Sequence, residues 1–359
     1  EMVIRDWSSD VCSSDLYCRQ GIARCNGIQG RGTGCCGLFH HHAARIDGKG
    51  IDRGTGAQAR CPYRHAGPVL MRLPEWFDRF LAPDADRPGI ILDELTGSGV
   101  SASMVRLGNG RFVIAWAGAY VVSGRRRDPR YRVKILTAHH DRVPGTPGAL
   151  DNSAACLQLV TFLQQGSGAF NTMVVFTDHE EMAGTQTEAQ GSHALGTALP
   201  DMDVGQPYIV CLDVTGRGDT LVMSDSVEGL VQRQYRHLLS TVAVPVREMM
   251  DQVTRLMAGR GKVCTATLPF GEDLGFLMAS APALELSVLP GAEAALLPSS
   301  CALPPWASPV APGQLKPATW KHLHGAGDTV DLFDDSAFAL MGTFIHRLAG
   351  LRSPEPIAT

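Results

Sequence analysis

Apolar positions along the chain follow two periods, and the switches between them mark the elements. Residues 112–122 and 132–138 are short apolar runs that read as successive strands. Between them stand Arg125, Arg126, Arg127 and Arg130, a charge run expected to be a solvated hairpin turn. From Ser153 to Gln165 the apolar spacing becomes helical, with Asn152 or Ser153 as the cap. Residues 172–177 and 208–214 read as buried strands, 227–242 as a helix, and 282–289 as a further strand. A closing helix is expected over 335–348, started by Asp or Ser caps. Strands that alternate with helices predict an α/β fold. The expected architecture is a mixed, mostly parallel central sheet with helices on both faces, in a single domain.

Two segments fall outside this pattern. Residues 1–70 are rich in Gly, Arg and Cys and hold neither period, and residues 5–16 resemble the translation of sequencing-adaptor DNA. This segment is expected to be disordered or a non-native extension, with Met71, at the head of an amphipathic stretch, as the start of the domain 71–359. The second is a Pro- and Ala-rich insertion over 289–321 carrying Trp306 and Trp320. It is too long for an ordinary connection, so it is either a lid or a floppy insertion.

Composition narrows the function classes. A hydrophobic content of 44% supplies a full core, and a formal net charge of -4 carries no electrostatic footprint for nucleic acid. No apolar stretch approaches the roughly 18 residues of a membrane span. Of the ten cysteines, Cys12, Cys18, Cys25, Cys35, Cys36 and Cys61 crowd the first sixth without the paired spacing of a zinc ribbon. Cys156 and Cys211 lie in apolar runs and read as reduced core residues, which favours a reducing compartment. No charged-then-apolar leader is visible, so a cytoplasmic location is expected, although the N-terminal segment could have lost one.

The candidate chemistry sits at predicted strand ends, where an open α/β sheet builds its sites. His139 and Asp141 form H-x-D after the strand ending at Ala138; in extended chain the two side chains share one face. Asp151 follows a Gly- and Pro-rich loop, Glu180 and Glu181 follow the strand over 172–177, Asp213 ends the next strand, and His324 precedes a Gly-rich turn. Taken singly, each has a plain structural explanation: a satisfied loop pair for His139 and Asp141, a helix cap for Asp151, a solvated helix start for the two glutamates. Five nitrogen- and oxygen-donor residues at consecutive strand ends are harder to explain by capping. Zinc hydrolysis needs such donors on a rigid scaffold with a position left open for water.

These residues, in this order, resemble metallopeptidase family twenty-eight, which contains zinc aminopeptidases, glutamate carboxypeptidase and glutaminyl cyclases. The resemblance rests on Thr137-Ala138-His139-His140-Asp141, Gly145 to Asn152, Glu180-Glu181, Leu212-Asp213, and His324 with Asp328-Thr329. It implies a zinc-peptidase fold and two zinc ions per chain, with His139 and Asp213 on one, Glu181 and His324 on the other, and Asp151 bridging. It also implies Glu180 as general base toward a water between the metals, and Asp141 orienting His139. The implied reaction is removal of an N-terminal residue from a peptide, or cleavage of a small aminoacyl amide.

Some positions depart from the resembled pattern. His179 stands before the glutamate pair, where small residues are commoner, and His193 follows in the Gly-Ser region. The family often uses a Tyr to steady the oxyanion, and none follows Tyr235 here. Residues 271–276 form an acidic stretch that either receives a substrate amine or simply opens a helix. Arg217-Gly218-Asp219 reads as a turn, and Met249, Met250 and Met257 as helical core packing. Two other functions stay open at this level: a one-zinc acyl transferase of the glutaminyl cyclase kind, and a catalytically inactive binding protein on the same fold.

Overall fold

Side chains that alternate across a pleated strand reach both faces of a sheet, and here both faces are apolar. The computed structural model describes residues 72–352 apart from 119–127, 129–130, 167, 182–186, 203, 205–206, 234–238, 270 and 300–315. Two helices, α1 (Glu75–Leu81) and α2 (Arg87–Gly97), lead into the hairpin β1 (Ala102–Leu107) and β2 (Gly110–Ala117). Then come β3 (Lys134–His139), α3 (Ala154–Gln165), β4 (Thr172–Thr177), α4 (Gly191–Ala198), β5 (Tyr208–Leu212) and β6 (Thr220–Ser224). The chain continues through α5 (Ser226–Arg233), α6 (Val244–Met257), β7 (Lys262–Ala266), α7 (Glu272–Met278), β8 (Ala283–Leu289), α8 (Gly291–Ala294) and α9 (Asp335–Gly350).

The strands form one sheet in the order β1-β2-β4-β3-β5-β8-β6-β7. Pairings β3–β4, β3–β5, β5–β8 and β6–β7 are parallel, and β1–β2, β2–β4 and β6–β8 are antiparallel. The expected mixed, mostly parallel sheet is therefore the observed one. Along β3, Leu136 and Ala138 pack into one apolar cluster while Val133 and Ile135 belong to the other. In β4, Val174 and Phe176 oppose Met173 and Val175 in the same way. The larger cluster gathers buried residues of α3, α6 and α9, including Phe162, Met249 and Phe344, which makes the methionines core residues. On the opposite face Leu195 of α4 and Phe276 of α7 meet the sheet. Burying each such side chain fully stabilises the fold by about 1.5–3 kcal/mol.

The parallel arrangement of β3, β4 and β5 has one functional consequence. Their C-terminal ends all open on the same edge of the sheet, so His139, the loop after Thr177, and Asp213 are brought side by side.

Several sequence expectations require correction. Strands β2 and β3 are not joined as a hairpin, because β4 lies between them. The hairpin instead precedes β2, across Gly108-Asn109, where Gly108 supplies a positive φ of 58°. The apolar run expected as a strand over 112–122 contains β2 as far as Ala117, but pairing partners are set by long-range packing. The Arg125–Arg127 run, residues 1–70 and residues 300–315 of the insertion lie outside the described residues. Of the helix expected over 227–242, α5 (Ser226–Arg233) and the helical turn Leu239–Ala243 are described, and that turn runs directly into α6, which carries Pro245 in its first turn, a position proline favours. Among the described residues, Cys156, Cys211 and Cys264 are free thiols, the first two buried, and no helix is long and apolar enough to cross a membrane.

At the opposite end of β3 lies a buried cation. Lys134 is 1% exposed; its ammonium donates to the Leu351 carbonyl and stands 5.5 Å from the Phe170 ring centre. Burial pulls its pKa down to about 7. An unfolded chain holds this proton up to about pH 10.4, so between those values the unfolded state binds more protons and folding stability rises with pH. Lys134→Met is expected to remove that rise, leaving the variant more stable than the parent by about 1–3 kcal/mol near pH 7 and converging with it near pH 10. Thermal unfolding of both chains across that range checks it, and parallel curves would disprove it.

Candidate metal centre

The end of β3 and four loops at the open edge of the sheet hold the predicted residues. His139 is the last residue of β3 and fully buried. Asp151 lies in the irregular turn Ala149–Ser153 between β3 and α3, and its peptide bond to Asn152 is cis. That turn is fastened from two sides. The Asp328 carboxylate accepts the backbone N–H of Leu150 at 2.6 Å and of Asp151 at 3.2 Å, while the Asn152 amide donates to the Leu212 carbonyl at 2.7 Å. Asp213 follows β5 and is tied to β8 by its own N–H, 3.0 Å from the Leu286 carbonyl.

Glu180 and Glu181 emerge from a loop ordered by Asp178, whose carboxylate accepts the N–H of Arg111 at 2.8 Å and of His179 at 3.0 Å. This explains His179: at φ 62° it turns the chain beside Asp178, with its Nδ1 3.3 Å from the carboxylate. His324 also sits at positive φ, 58°, and Val214, next to Asp213, at 50°. A branched residue there is strained by about 1–3 kcal/mol, a conformation that persists only where surrounding contacts impose it.

The five donor residues converge on two clusters that share one residue. His139, Asp151 and Asp213 form one triad and Asp151, Glu181 and His324 the other, with one donor atom from each residue within 4.8 Å of the others in its triad. His139 Nε2 lies 3.2 Å from Asp151 Oδ1 and 3.5 Å from Asp213 Oδ1. His324 Nε2 lies 3.0 Å from Asp151 Oδ2 and 3.4 Å from Glu181 Oε2. Asp151 thus turns one oxygen to each imidazole. On the far side of the ring, His139 Nδ1 stands 3.3 Å from the Asp141 carbonyl and 3.5 Å from its carboxylate. The carbonyl is the nearer acceptor. The other carboxylate oxygen of Asp141 takes the Glu181 N–H at 3.0 Å, so Asp141 joins the two loops.

The donor set fits divalent cations. His139 Nε2 and Asp213 Oδ1 are buried without hydrogen-bond partners among the described residues, an arrangement that is costly unless something else satisfies them. Crowded carboxylates add a second sign. Burial, followed by the charges of Asp151 and Glu180, pushes the Glu181 carboxyl up to about 11. Burial likewise raises Glu180 well above the carboxylate range, with Asp213, Asp151 and Asp141 adding to the effect. Asp213 is raised by its burial and by Asp151, whereas Asp151 is held low by His139 and His324 against its own burial. Such a bare acidic cluster is poorly neutralised by two imidazoles. Two divalent cations balance it.

A family model described as Peptidase family M28 matches residues 121–348. The chain belongs to peptidase family M28. With its paired candidate metal clusters, it is a zinc-dependent hydrolase of the metallopeptidase class. No curated protein sequence matches this M28 chain. Among solved structures, it is similar to the LapA aminopeptidase of Legionella pneumophila at 12% identity, over 77% of this chain and 71% of that one, with a TM-score of 0.49. It is similar to a glutaminyl cyclase of Bacteroides thetaiotaomicron bound to N-acetylhistamine at 13% identity, over 77% and 94% of the two chains, TM-score 0.49. A leucine aminopeptidase precursor from the same organism gives 13% identity, 77% and 93% coverage, and a TM-score of 0.49.

The acidic stretch after Gly271 is not open to a substrate in this M28 chain. Glu272, 2% exposed, accepts the Thr137 hydroxyl at 3.0 Å and the Thr177 hydroxyl, so it staples β3 to β4 directly behind His139. Asp273 is equally buried and, with Glu285, accepts the Gly271 N–H at 3.2 and 3.0 Å. The helix-opening reading of this stretch therefore holds, and the amine-binding one does not. The sequence does not reveal that Glu272 staples β3 to β4 or that Asp328 holds the Asp151 turn. Thr137 and Thr177 face the same side of the sheet but are offset by two residues in the β3–β4 register, so their link to Glu272 shows only once the strands are paired. For Asp328 the sequence offers only its position four residues after His324.

Proposed function

We propose that the chain is a two-zinc aminopeptidase, acting on an N-terminal residue of a peptide or on a small aminoacyl amide. The observation that carries this reading is the split of Asp151, whose two oxygens lie 3.2 Å from His139 Nε2 and 3.0 Å from His324 Nε2. In this reading His139 and Asp213 hold one zinc, Glu181 and His324 the other, and Asp151 both. When bound, paired zinc ions polarise the scissile carbonyl and bring the pKa of a water toward neutrality.

The remaining work falls to side chains. Glu180 is adjacent to a ligand and lies in the field of His139, Asp213, Asp151 and Asp141. It takes the proton of the attacking water and returns it to the leaving amine. Asp141 holds the Nδ1 side of His139, fixing the tautomer that leaves Nε2 free to donate its lone pair. Completeness of both triads favours two metals over the one-zinc acyl transferase, and an intact Glu180 beside them favours catalysis over an inactive scaffold.

Metal analysis of the purified full chain, together with a panel of aminoacyl amides and N-terminal glutaminyl peptides, separates these. The expected result is about two zinc ions per chain and release of N-terminal residues. One zinc with cyclisation of glutaminyl peptides moves the assignment to the transferase. Absence of zinc and of turnover in a folded chain sinks both.

A further inference from the structure

Outside the residues of the family match, the helix α2 sends one charged side chain into the centre. Arg87 is its first residue, followed by Pro88, and it is 5% exposed. This position is electrostatically unfavourable, because the positive end of the helix dipole meets a cation and the carboxylate of the N-cap Asp86 is paired with Arg111. A long buried Arg held there needs compensation from elsewhere.

The compensation comes from the loops that carry the clusters. Arg87 Nη1 donates to the Asp141 carbonyl at 3.3 Å, the same oxygen that His139 Nδ1 faces at 3.3 Å. Arg87 Nη2 donates to the Ser153 hydroxyl. Ser153 in turn donates that hydroxyl to the Gly148 carbonyl, closing the turn on which Asp151 stands. The guanidinium lies 4.1 Å from the centre of the Phe80 ring of α1, which fixes its plane. Its charge is felt by both Asp141 and Asp151, and although burial lowers its pKa to about 10, it stays protonated at neutral pH.

We infer that Arg87 is a positioning residue for the metal centre, and that the N-terminal helices are part of the site because its two-armed contact fixes the His139–Asp141 loop against the Asp151 turn. This inference rests on the two-zinc reading above. The guanidinium holds the carbonyl and the hydroxyl with a rigid planar fork, whereas a lysine ammonium is a point charge on a flexible stem, so lysine replaces the charge but not the geometry. Arg87 touches neither donor atom of the clusters, and its effect is on where His139 and Asp151 are held.

The test compares the full chain with Arg87→Met, Arg87→Lys and Ser153→Ala. Zinc affinity is measured by competition with a chromophoric chelator, alongside thermal unfolding of the metal-free forms and steady-state kinetics at saturating zinc. Arg87→Met is expected to bind zinc about 10–100-fold more weakly, the usual cost of losing a partner that orients a ligand. Arg87→Lys should fall between it and the parent, and Ser153→Ala should weaken zinc in the same direction with a smaller change in packing. At saturating zinc, kcat is expected to fall while KM stays within about twofold, because the side chain does not meet substrate. A purely structural Arg87 would lower metal-free stability and leave zinc affinity unchanged, and that result overturns the inference while leaving the two-zinc reading intact. If Arg87→Met does not fold, Arg87→Lys and Ser153→Ala decide: parental zinc affinity in both overturns it. A parent chain that binds no zinc removes the functional reading, and this inference with it.

Discussion

Glu180→Gln is expected to keep the full complement of zinc and to lower kcat by about 10²–10⁴-fold, with KM little changed. Glutamine keeps the shape of the side chain and its hydrogen-bonding reach, but an amide cannot accept a proton from water at neutral pH. Glu180 does not belong to either triad, so its replacement leaves all five donor residues in place. Removing one carboxylate from a buried acidic group also relieves repulsion on Glu181 and Asp213, so metal-free stability should hold or improve. The measurement is paired: zinc per chain by elemental analysis, and turnover of the best aminoacyl amide. A variant with parental kcat removes Glu180 from the chemistry. One that loses zinc makes Glu180 a ligand instead of a base.

The parts of this molecule that were legible in the sequence are those set by local period. Residues 172–177 coincide with β4, and the starts of α3 and α9 fall within a residue of the expected caps. Each element there carries its own evidence: a short apolar run for the strand, and a 3.6 spacing with a start signal for the helix. Strand order was not legible, because β2 joins β4 through pairs such as Ile114 with Val175, and nothing in either segment names its partner. The strands β1, β6 and β7 escaped notice for a related reason. β1 and β7 are half-exposed and polar at several positions, and β6 is a five-residue run, Thr220–Ser224, between two loops.

The candidate site divides along the same line. His139, Glu181 and Asp213 were visible because they follow apolar runs, Asp151 and His324 because they border glycine-rich segments in the order of the resembled motif, and the fold brings all five together. Apart from Asp141, residues that hold those side chains from outside were not visible. Arg87, Glu272 and Asp328 act across sequence separations of 54 to 178 residues, and each contact is a single hydrogen bond or a pair of them. Such a contact leaves no periodic trace. The acidic stretch is instructive: Glu272 and Asp273 do favour a helix start, as expected, but burial against Thr137 and Gly271 decides which groups they meet.

Asp151→Asn should have the largest effect on metal content, since it is the one residue common to both triads. An asparagine has a single carbonyl oxygen and no charge, so it cannot present equivalent anionic oxygens to both His139 and His324. Zinc is expected to fall from about two per chain to one or fewer, and turnover to fall below that of Glu180→Gln. Stability gives an independent readout. Zinc that binds the folded chain alone stabilises it by about 4 kcal/mol at a thousandfold excess over the dissociation constant, which for a domain of this size raises Tm by roughly 8–16 °C. In Asp151→Asn that zinc-dependent rise is expected to shrink to a small fraction, while the metal-free Tm moves less, because the Asp328 carboxylate still holds the N–H groups of Leu150 and residue 151. A variant whose Tm still climbs with zinc as the parent's does would show that the two clusters load independently of Asp151, and that the 3.2 and 3.0 Å approaches to His139 and His324 are an ion-pair network without a bridging role.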